Sequence, residues 1–132
     1  MTIHFNKAKH LYQKSEKKSF ENDNAMNIIK AMVKELRKSM DFVMYNMKND
    51  EQRLKKNKHF SKALVIIYTL QTSLDFDSGG NLANKLFQLY EYCRQQLIND
   101  FRKKINDGIK KAINALDEIF TFNDDGDAQD VK

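Results

Sequence analysis

The chain has 132 residues and a net charge of +5, and 31% of its residues are charged while 41% are hydrophobic. This length is enough for one domain with its own core and too short for two ordinary ones. The single cysteine excludes an internal disulfide, and no apolar run approaches the roughly twenty residues of a membrane span, so we expect a cytoplasmic protein without membrane insertion.

The N-terminal part of the chain divides into an arm and a long helix. Residues 1–21 show no sustained apolar periodicity and are predicted to form a loose arm, or a short extra helix around residues 8–13. The first long helix is predicted from Asn22 or Asp23, whose side chains can cap it, to about Met47. Apolar residues repeat along it at spacings of three and four, which is typical of a helix in an antiparallel bundle. These residues are Met26, Ile29, Val33, Leu36, Met40, Val43 and Met47.

The next two predicted helices carry more apolar residues than one inward stripe requires. They span about Asp50 to Ser73 and Asn81 to about Lys104. The expected inward residues are Phe60, Ala63, Leu64, Ile67, Leu70 and Leu74 in the second helix, and Leu82, Leu86, Leu89, Cys93 and Leu97 in the third. The apolar residues left on adjoining faces are Val65, Ile66, Tyr68, Ala83, Phe87 and Tyr90. A helix that is apolar almost all round is buried on several sides or open to a partner, so these six residues either complete the packing of the bundle or line a groove for another helix.

A fourth helix and an acidic segment complete the chain. The helix is predicted to start near Asn106 or Asp107 and to point Ile109, Ile113 and Leu116 inward. Residues 123–132 are acidic and almost free of apolar side chains, which predicts an acidic disordered tail. Four such helices with short connections predict an all-α, antiparallel four-helix bundle over residues 22–122.

The sequence contains none of the common catalytic or metal-binding patterns. The histidines His4, His10 and His59 belong to neither a Glu-x-x-His nor a His-Glu-x-x-His pattern. Cys93 falls on an inward stripe, where a buried thiol is inert. We therefore expect no enzyme activity, no cofactor and no bound metal.

The positive charge is concentrated in the first part of the chain. Residues 1–70 hold 15 Lys or Arg against 7 Asp or Glu, whereas residues 71–132 hold 8 against 11. The lysines are mostly spaced singly around helices that also carry acids, which is typical of a solvated face. We expect no nucleic-acid partner, because no known binding motif accompanies the charge, and a basic nucleic-acid-binding bundle is kept as an alternative.

One segment, residues 74–92, combines a double glycine with an aromatic-rich helix. It contains a helix end in Leu-Asp, a short acidic loop that closes with Gly79-Gly80, and the pattern Leu-x-x-Leu-Tyr-x-Tyr. The residues that carry this pattern are Leu74, Asp75, Gly79, Gly80, Leu82, Ala83, Asn84, Leu86, Leu89, Tyr90 and Tyr92. The segment resembles the signature of the flagellin export chaperones, the FliS family, and a weaker resemblance extends from about Phe60 to about Phe122. The chain lacks the family's usual Ser-Pro cap and Leu-Tyr-Asp-Gly segment, so it resembles a divergent member.

The resemblance implies an antiparallel helical bundle that is a chaperone and not an enzyme. Its implied partner is the disordered C-terminal segment of flagellin, which becomes helical as it wraps over the bundle. Binding would prevent premature polymerisation and assist delivery to the flagellar type III export apparatus, with an export-gate component as a further partner. The resemblance favours the open alternative for the surplus apolar residues, so a partner groove is predicted at Val65, Ile66, Tyr68, Ala83, Phe87 and Tyr90. Tyr90 is the first candidate contact, because it lies inside the matched pattern. A regulatory or scaffold bundle that binds another helix of the export system would share these features and stays open.

Overall fold

A computed structural model describes the backbone of residues 15–120 and the side chains of residues 24–120. This part of the chain forms four α-helices, α1 (Ser15–Tyr45), α2 (Arg53–Thr72), α3 (Phe76–Lys103) and α4 (Asp107–Phe120), and a 3-10 turn (Asp50–Gln52) precedes α2. The predicted fold class, an all-α four-helix bundle, is confirmed. The predicted short helix around residues 8–13 and the predicted acidic tail, residues 123–132, lie outside the described residues.

Side-chain pairs across each interface show that neighbouring helices run antiparallel. Arg37 of α1 pairs with Asp117 near the end of α4, whereas Asn106, just before α4 begins, donates a hydrogen bond to the Met44 carbonyl near the end of α1. The other three interfaces show the same reversal. The pairs are Glu35–Lys62 and Met47–Lys56 between α1 and α2, Phe60–Phe101 and Gln71–Glu91 between α2 and α3, and Asp100–Ile109 and Cys93–Ala112 between α3 and α4. The helices therefore form a ring in chain order, which closes where α4 packs against α1.

The core lies between the four helices and contains most of the predicted inward residues. The largest fully buried apolar side chains are Tyr90, Leu36, Met40, Ile67, Leu70, Leu97, Ile109 and Leu116. Burying a large apolar side chain contributes roughly 1.5–3 kcal/mol, so this cluster is the main source of stability.

Two buried charged side chains hold helix ends at one end of the bundle. The Lys56 ammonium donates a hydrogen bond to the Met47 carbonyl, 2.9 Å away, just beyond the end of α1. The Asp100 carboxylate of α3 accepts one from the backbone N–H of Ile109, 2.8 Å away, in the first turn of α4. The positive charge of Lys56 lies at a helix C-terminus and the negative charge of Asp100 at a helix N-terminus, so each is opposite in sign to the partial charge of the helix end that it contacts. Gly108 leaves space for Asp100, since a Cβ there would collide with Gln96 and approach the carboxylate.

Helix α1 begins earlier than the sequence analysis predicts. Residues 15–21 are helical, so the predicted loose arm of residues 1–21 is wrong over this stretch, and Asn22 and Asp23 lie inside the helix instead of capping it. This stretch contains two Glu and two Lys, which favour a helix without any apolar stripe. A search for apolar periodicity therefore misses it.

The predicted inward position of Met26 is wrong, because its side chain is 49% exposed. Helix α1 has 31 residues and α4 has 14, so α1 is longer by about 25 Å. Asp117, near the end of α4, pairs with Arg37. Met26 lies about 16 Å before Arg37 along α1, beyond the reach of α4.

Helix α3 as assigned begins at Phe76, but Gly80 has non-helical φ and ψ angles and divides it into a short first turn, residues 76–79, and a main helix whose start agrees with the predicted start at Asn81. Asp75 caps the short first turn, and its carboxylate accepts hydrogen bonds from the backbone N–H groups of Asp77 and Ser78, at 3.1 and 3.2 Å. An aspartate at this position satisfies N–H groups that have no partner within the helix. The double glycine therefore joins this short first turn to the main part of α3, which follows Gly80.

The two glycines are required for different reasons. Gly80 has a φ of 53° and a ψ of −127°, which kinks α3 and which side-chain-bearing residues rarely adopt. Gly79 has a negative φ, but a Cβ there would lie only 2.8 Å from the Ala83 methyl group. Gly79 thus allows the first turn of α3 to approach Ala83 closely.

Candidate partner-binding surface

Two of the six predicted groove residues lie in the core. Tyr90 is 1% exposed and belongs to the core cluster, and Ala83 is buried as well. The expectation that both face an open groove is therefore wrong. Leu82, which is predicted to point inward, is exposed instead. Helix α3 is rotated so that Ala83, Tyr90 and Leu97, which repeat every seven residues, face the centre of the bundle.

The other four predicted residues divide between two sides of α2 and α3. Val65, Tyr68 and Phe87 are exposed, with Tyr68 at 68% and Phe87 at 37%. Ile66 is half-buried and packs against the core. It follows Lys62 by four residues, and Lys62 contacts Glu35 of α1, so Ile66 lies on the side of α2 that faces α1.

Tyr68 and Phe87 lie on the α2–α3 side of the bundle together with Phe76, and Val65 adjoins Tyr68 on the outer face of α2, three residues earlier. The rings of Phe76 and Phe87 meet edge to face, with centroids 6.1 Å apart. The Gln71 amide donates a hydrogen bond to the Phe87 carbonyl at 3.5 Å, and Tyr68 lies one turn before Gln71 on α2. We call Val65, Tyr68, Phe76 and Phe87 the α2–α3 surface. Phe76 is not among the predicted groove residues, because its place before the double glycine indicates a loop, although Asp75 and Ser78 around it form a helix-start pattern.

A polar network crosses the groove next to this surface. The Glu91 carboxylate accepts hydrogen bonds from Arg94, Gln71 and Gln95. The hydrogen bonds from Arg94 first, and then from Gln71, lower the pKa of Glu91 to about 2. The network joins α2 to α3 and gives the apolar surface a polar edge, which is the usual composition of a protein interface.

The side chains of Cys93 and His59 are the candidates for chemical reactivity, and each is buried or in contact with neighbouring residues. Burial raises the pKa of the Cys93 thiol to about 12, so the thiol stays protonated and unreactive. His59 stacks on Phe42 at 4.4 Å and lies 3.1 Å from the Ser39 hydroxyl, and burial lowers its pKa. Within the described residues, no three His, Cys, Asp or Glu side chains come close enough to hold a metal ion. None of the described helices is both long and apolar enough to span a membrane.

The described residues form a helical bundle that exposes aromatic side chains beside the interface of α2 and α3, a feature that is enriched at protein-binding surfaces. A sequence model of the family described as "Flagellar protein FliS" matches residues 7–122. Because the match covers most of the chain, this protein belongs to the FliS family, whose members are flagellar export chaperones. Comparison with curated proteins and with solved structures gave no match.

Proposed function

We propose that this chain is a cytoplasmic chaperone that binds the disordered C-terminal segment of flagellin on the α2–α3 surface. Binding covers an apolar segment of flagellin, prevents premature polymerisation and assists delivery to the flagellar type III export apparatus. The chain acts by binding alone, without catalysis or a cofactor, and neither nucleic acid nor membrane insertion is involved.

The observation that carries this proposal is the exposure of aromatic side chains beside the α2–α3 groove. Tyr68 and Phe87 are not needed to fill the core, because that space is occupied by Tyr90 and its neighbours. Large exposed aromatics are unfavourable in water and are enriched at interfaces, where each contributes much contact area. Membership of the FliS family supplies the class of partner.

The surface also fits a partner that folds on binding. An amphipathic helix can lay its apolar face along Val65, Tyr68 and Phe87 and meet the Glu91 network at its polar edge. Ordering a disordered segment costs several kcal/mol, so the contact must extend along the bundle beyond these few residues.

Titration calorimetry with a peptide from the C-terminal segment of flagellin tests the proposal. The full chain is expected to bind one to one, with a gain of helix by circular dichroism, a negative heat-capacity change and a small salt dependence. Tyr68→Ala and Phe87→Ala are each expected to weaken binding by about 1–2 kcal/mol, roughly 5- to 30-fold. The melting temperature of Tyr68→Ala should change little because Tyr68 is 68% exposed, whereas Phe87→Ala also removes the ring contact with Phe76 and should lower it modestly.

Tyr45→Ala is the matched control for Tyr68→Ala. Tyr45 is the same residue type and is 77% exposed, but it lies at the end of α1, away from the α2–α3 surface. Its loss should leave flagellin binding unchanged. No binding of flagellin peptide to the unaltered chain, or an equal loss of affinity in the Tyr45 and Tyr68 variants, would contradict the proposed site.

A further inference from the structure

A second candidate contact lies at the end of the bundle opposite the α2–α3 surface. A cavity of about 490 Å³ opens between the end of α1 and the connection from α3 to α4. Met44 and Met47, both buried, form its apolar floor, and the exposed side chains of Tyr45 and Ile105 stand at its rim. Asn106 spans it through the hydrogen bond to the Met44 carbonyl. The cavity therefore has an apolar floor and a mixed polar and apolar lining.

Positive charge is concentrated around this cavity. The two segments that form this end of the bundle, residues 44–58 and 100–112, hold ten Lys or Arg and four Asp or Glu, a net charge of +6. The remaining side-chain-described residues, 24–43, 59–99 and 113–120, hold seven of each sign. Lys48 and Lys104 line the cavity itself together with Asp107, so the charged side chains of the lining are net positive. The bundle is thus strongly basic at one end and neutral elsewhere, and the basic end attracts a negatively charged segment.

The acidic tail, residues 123–132, has the matching charge. It contains four aspartates and one lysine, a net charge of −3. Helix α4 starts at the cavity and ends at Phe120 after 14 residues, so the tail leaves the bundle about 21 Å from the cavity. The ten residues from 121 to 130 span up to about 33 Å when extended, which is enough to return along α4.

We propose that the acidic tail contacts the basic end of the bundle in the same molecule, with its aspartates beside Lys48 and Lys104 at the Tyr45–Ile105 cavity. Tethering gives the tail a high local concentration there, so weak ionic contacts are sufficient. The contact lies away from the α2–α3 surface and does not depend on flagellin binding. It covers the apolar rim of the cavity and neutralises part of the basic end.

Paramagnetic relaxation in the full chain tests this contact. A nitroxide is attached at Ala128→Cys, and Cys93 is not labelled because its thiol is buried. At low salt we expect the amide signals of Tyr45, Ile105 and Asp107 to lose more than half of their intensity. The loss should disappear at high salt, because exposed ionic contacts are screened.

Charge variants on both sides of the contact distinguish it from chance encounters of a tethered tail. Lys48→Glu with Lys104→Glu is expected to restore the signals. Replacing Asp127 and Asp130 by asparagine should do the same, because these two aspartates are far enough from Phe120 to span about 21 Å, and this change alters no residue of the bundle. Lys85→Glu, an exposed lysine on α3 outside the basic end, is the matched control and should leave the broadening intact.

Two results would overturn the proposal. Broadening confined to the residues around Phe120, or unaffected by the charge variants, would show that the tail does not contact the basic end. Equal broadening when nitroxide-labelled chains are mixed with unlabelled, isotope-enriched chains would show that the contact joins two copies instead of lying within one.

Discussion

Replacing Tyr90 by alanine is expected to destabilise the bundle strongly, although the family resemblance makes this residue the first candidate for partner contact. Its side chain is 1% exposed and lies in the core cluster. A buried tyrosine removes roughly 150–250 Å² from water, which at about 25 cal/mol per Å² gives an upper estimate near 4–6 kcal/mol. Measured truncations of buried aromatic residues cost about 3–5 kcal/mol. We expect Tyr90→Ala to lower the free energy of unfolding by that amount.

Tyr90→Phe isolates the contribution of the hydroxyl group. Among the described residues, no side chain or backbone group forms a hydrogen bond with this hydroxyl. Burying a hydroxyl without a hydrogen bond costs free energy, because its bonds to water are not replaced. Removing the hydroxyl therefore removes this desolvation cost. We expect Tyr90→Phe to leave the free energy of unfolding unchanged or to raise it by up to about 1 kcal/mol.

Urea denaturation followed by circular dichroism measures both changes, with Tyr68→Ala as the exposed control. Tyr68→Ala should change the free energy of unfolding by less than about 0.5 kcal/mol, as exposed substitutions usually do. Two outcomes would refute the reasoning: a loss below about 1 kcal/mol in Tyr90→Ala would place the ring outside the core, and a loss above about 1 kcal/mol in Tyr90→Phe would show that the hydroxyl has a partner.

Two further predictions concern buried polar groups. Burial raises the pKa of Tyr90 from 10.0 to about 12 and that of Cys93 from 9.0 to about 12, so the stability linked to their neutral forms is complete below pH 9 and is lost as the pH rises from 9 to 12. Urea midpoints should therefore fall across this range, and less steeply in Tyr90→Phe; a flat profile would contradict the burial of both groups. Asp100→Ala is expected to cost about 1–3 kcal/mol because the N–H group of Ile109 loses its acceptor, whereas Asp100→Asn retains an acceptor and should cost less. Equal losses in the two Asp100 variants by the same assay would show that the carboxylate does not cap α4.

The candidate site was only partly predictable. Tyr68, Phe87 and Val65 are identifiable as surplus apolar residues from the helical repeat alone, and they are exposed in the structure. Tyr90 and Ala83 are surplus by the same criterion but are buried, since a helix that is apolar on adjoining faces has several possible orientations. Packing against the neighbouring helices fixes one of these orientations. Phe76 is not predictable from the apolar repeat, because it lies in a short helical turn, residues 76–79, which precedes the main part of α3 and is separated from it by the kink at Gly80.

The sequence by itself determined the four main helices, apart from the early start of α1 at Ser15, and determined that they form one bundle. The apolar residues of each helix repeat at spacings of three and four, as from Val33 to Val43 in α1. This spacing gives each helix an apolar face that is covered by the other helices. Tertiary structure alone decided the rotation of α3, the exposure of Met26 beyond the end of α4, and the capping of α4 by Asp100. Each of these depends on where one helix lies relative to another, and local spacing carries no information about that position.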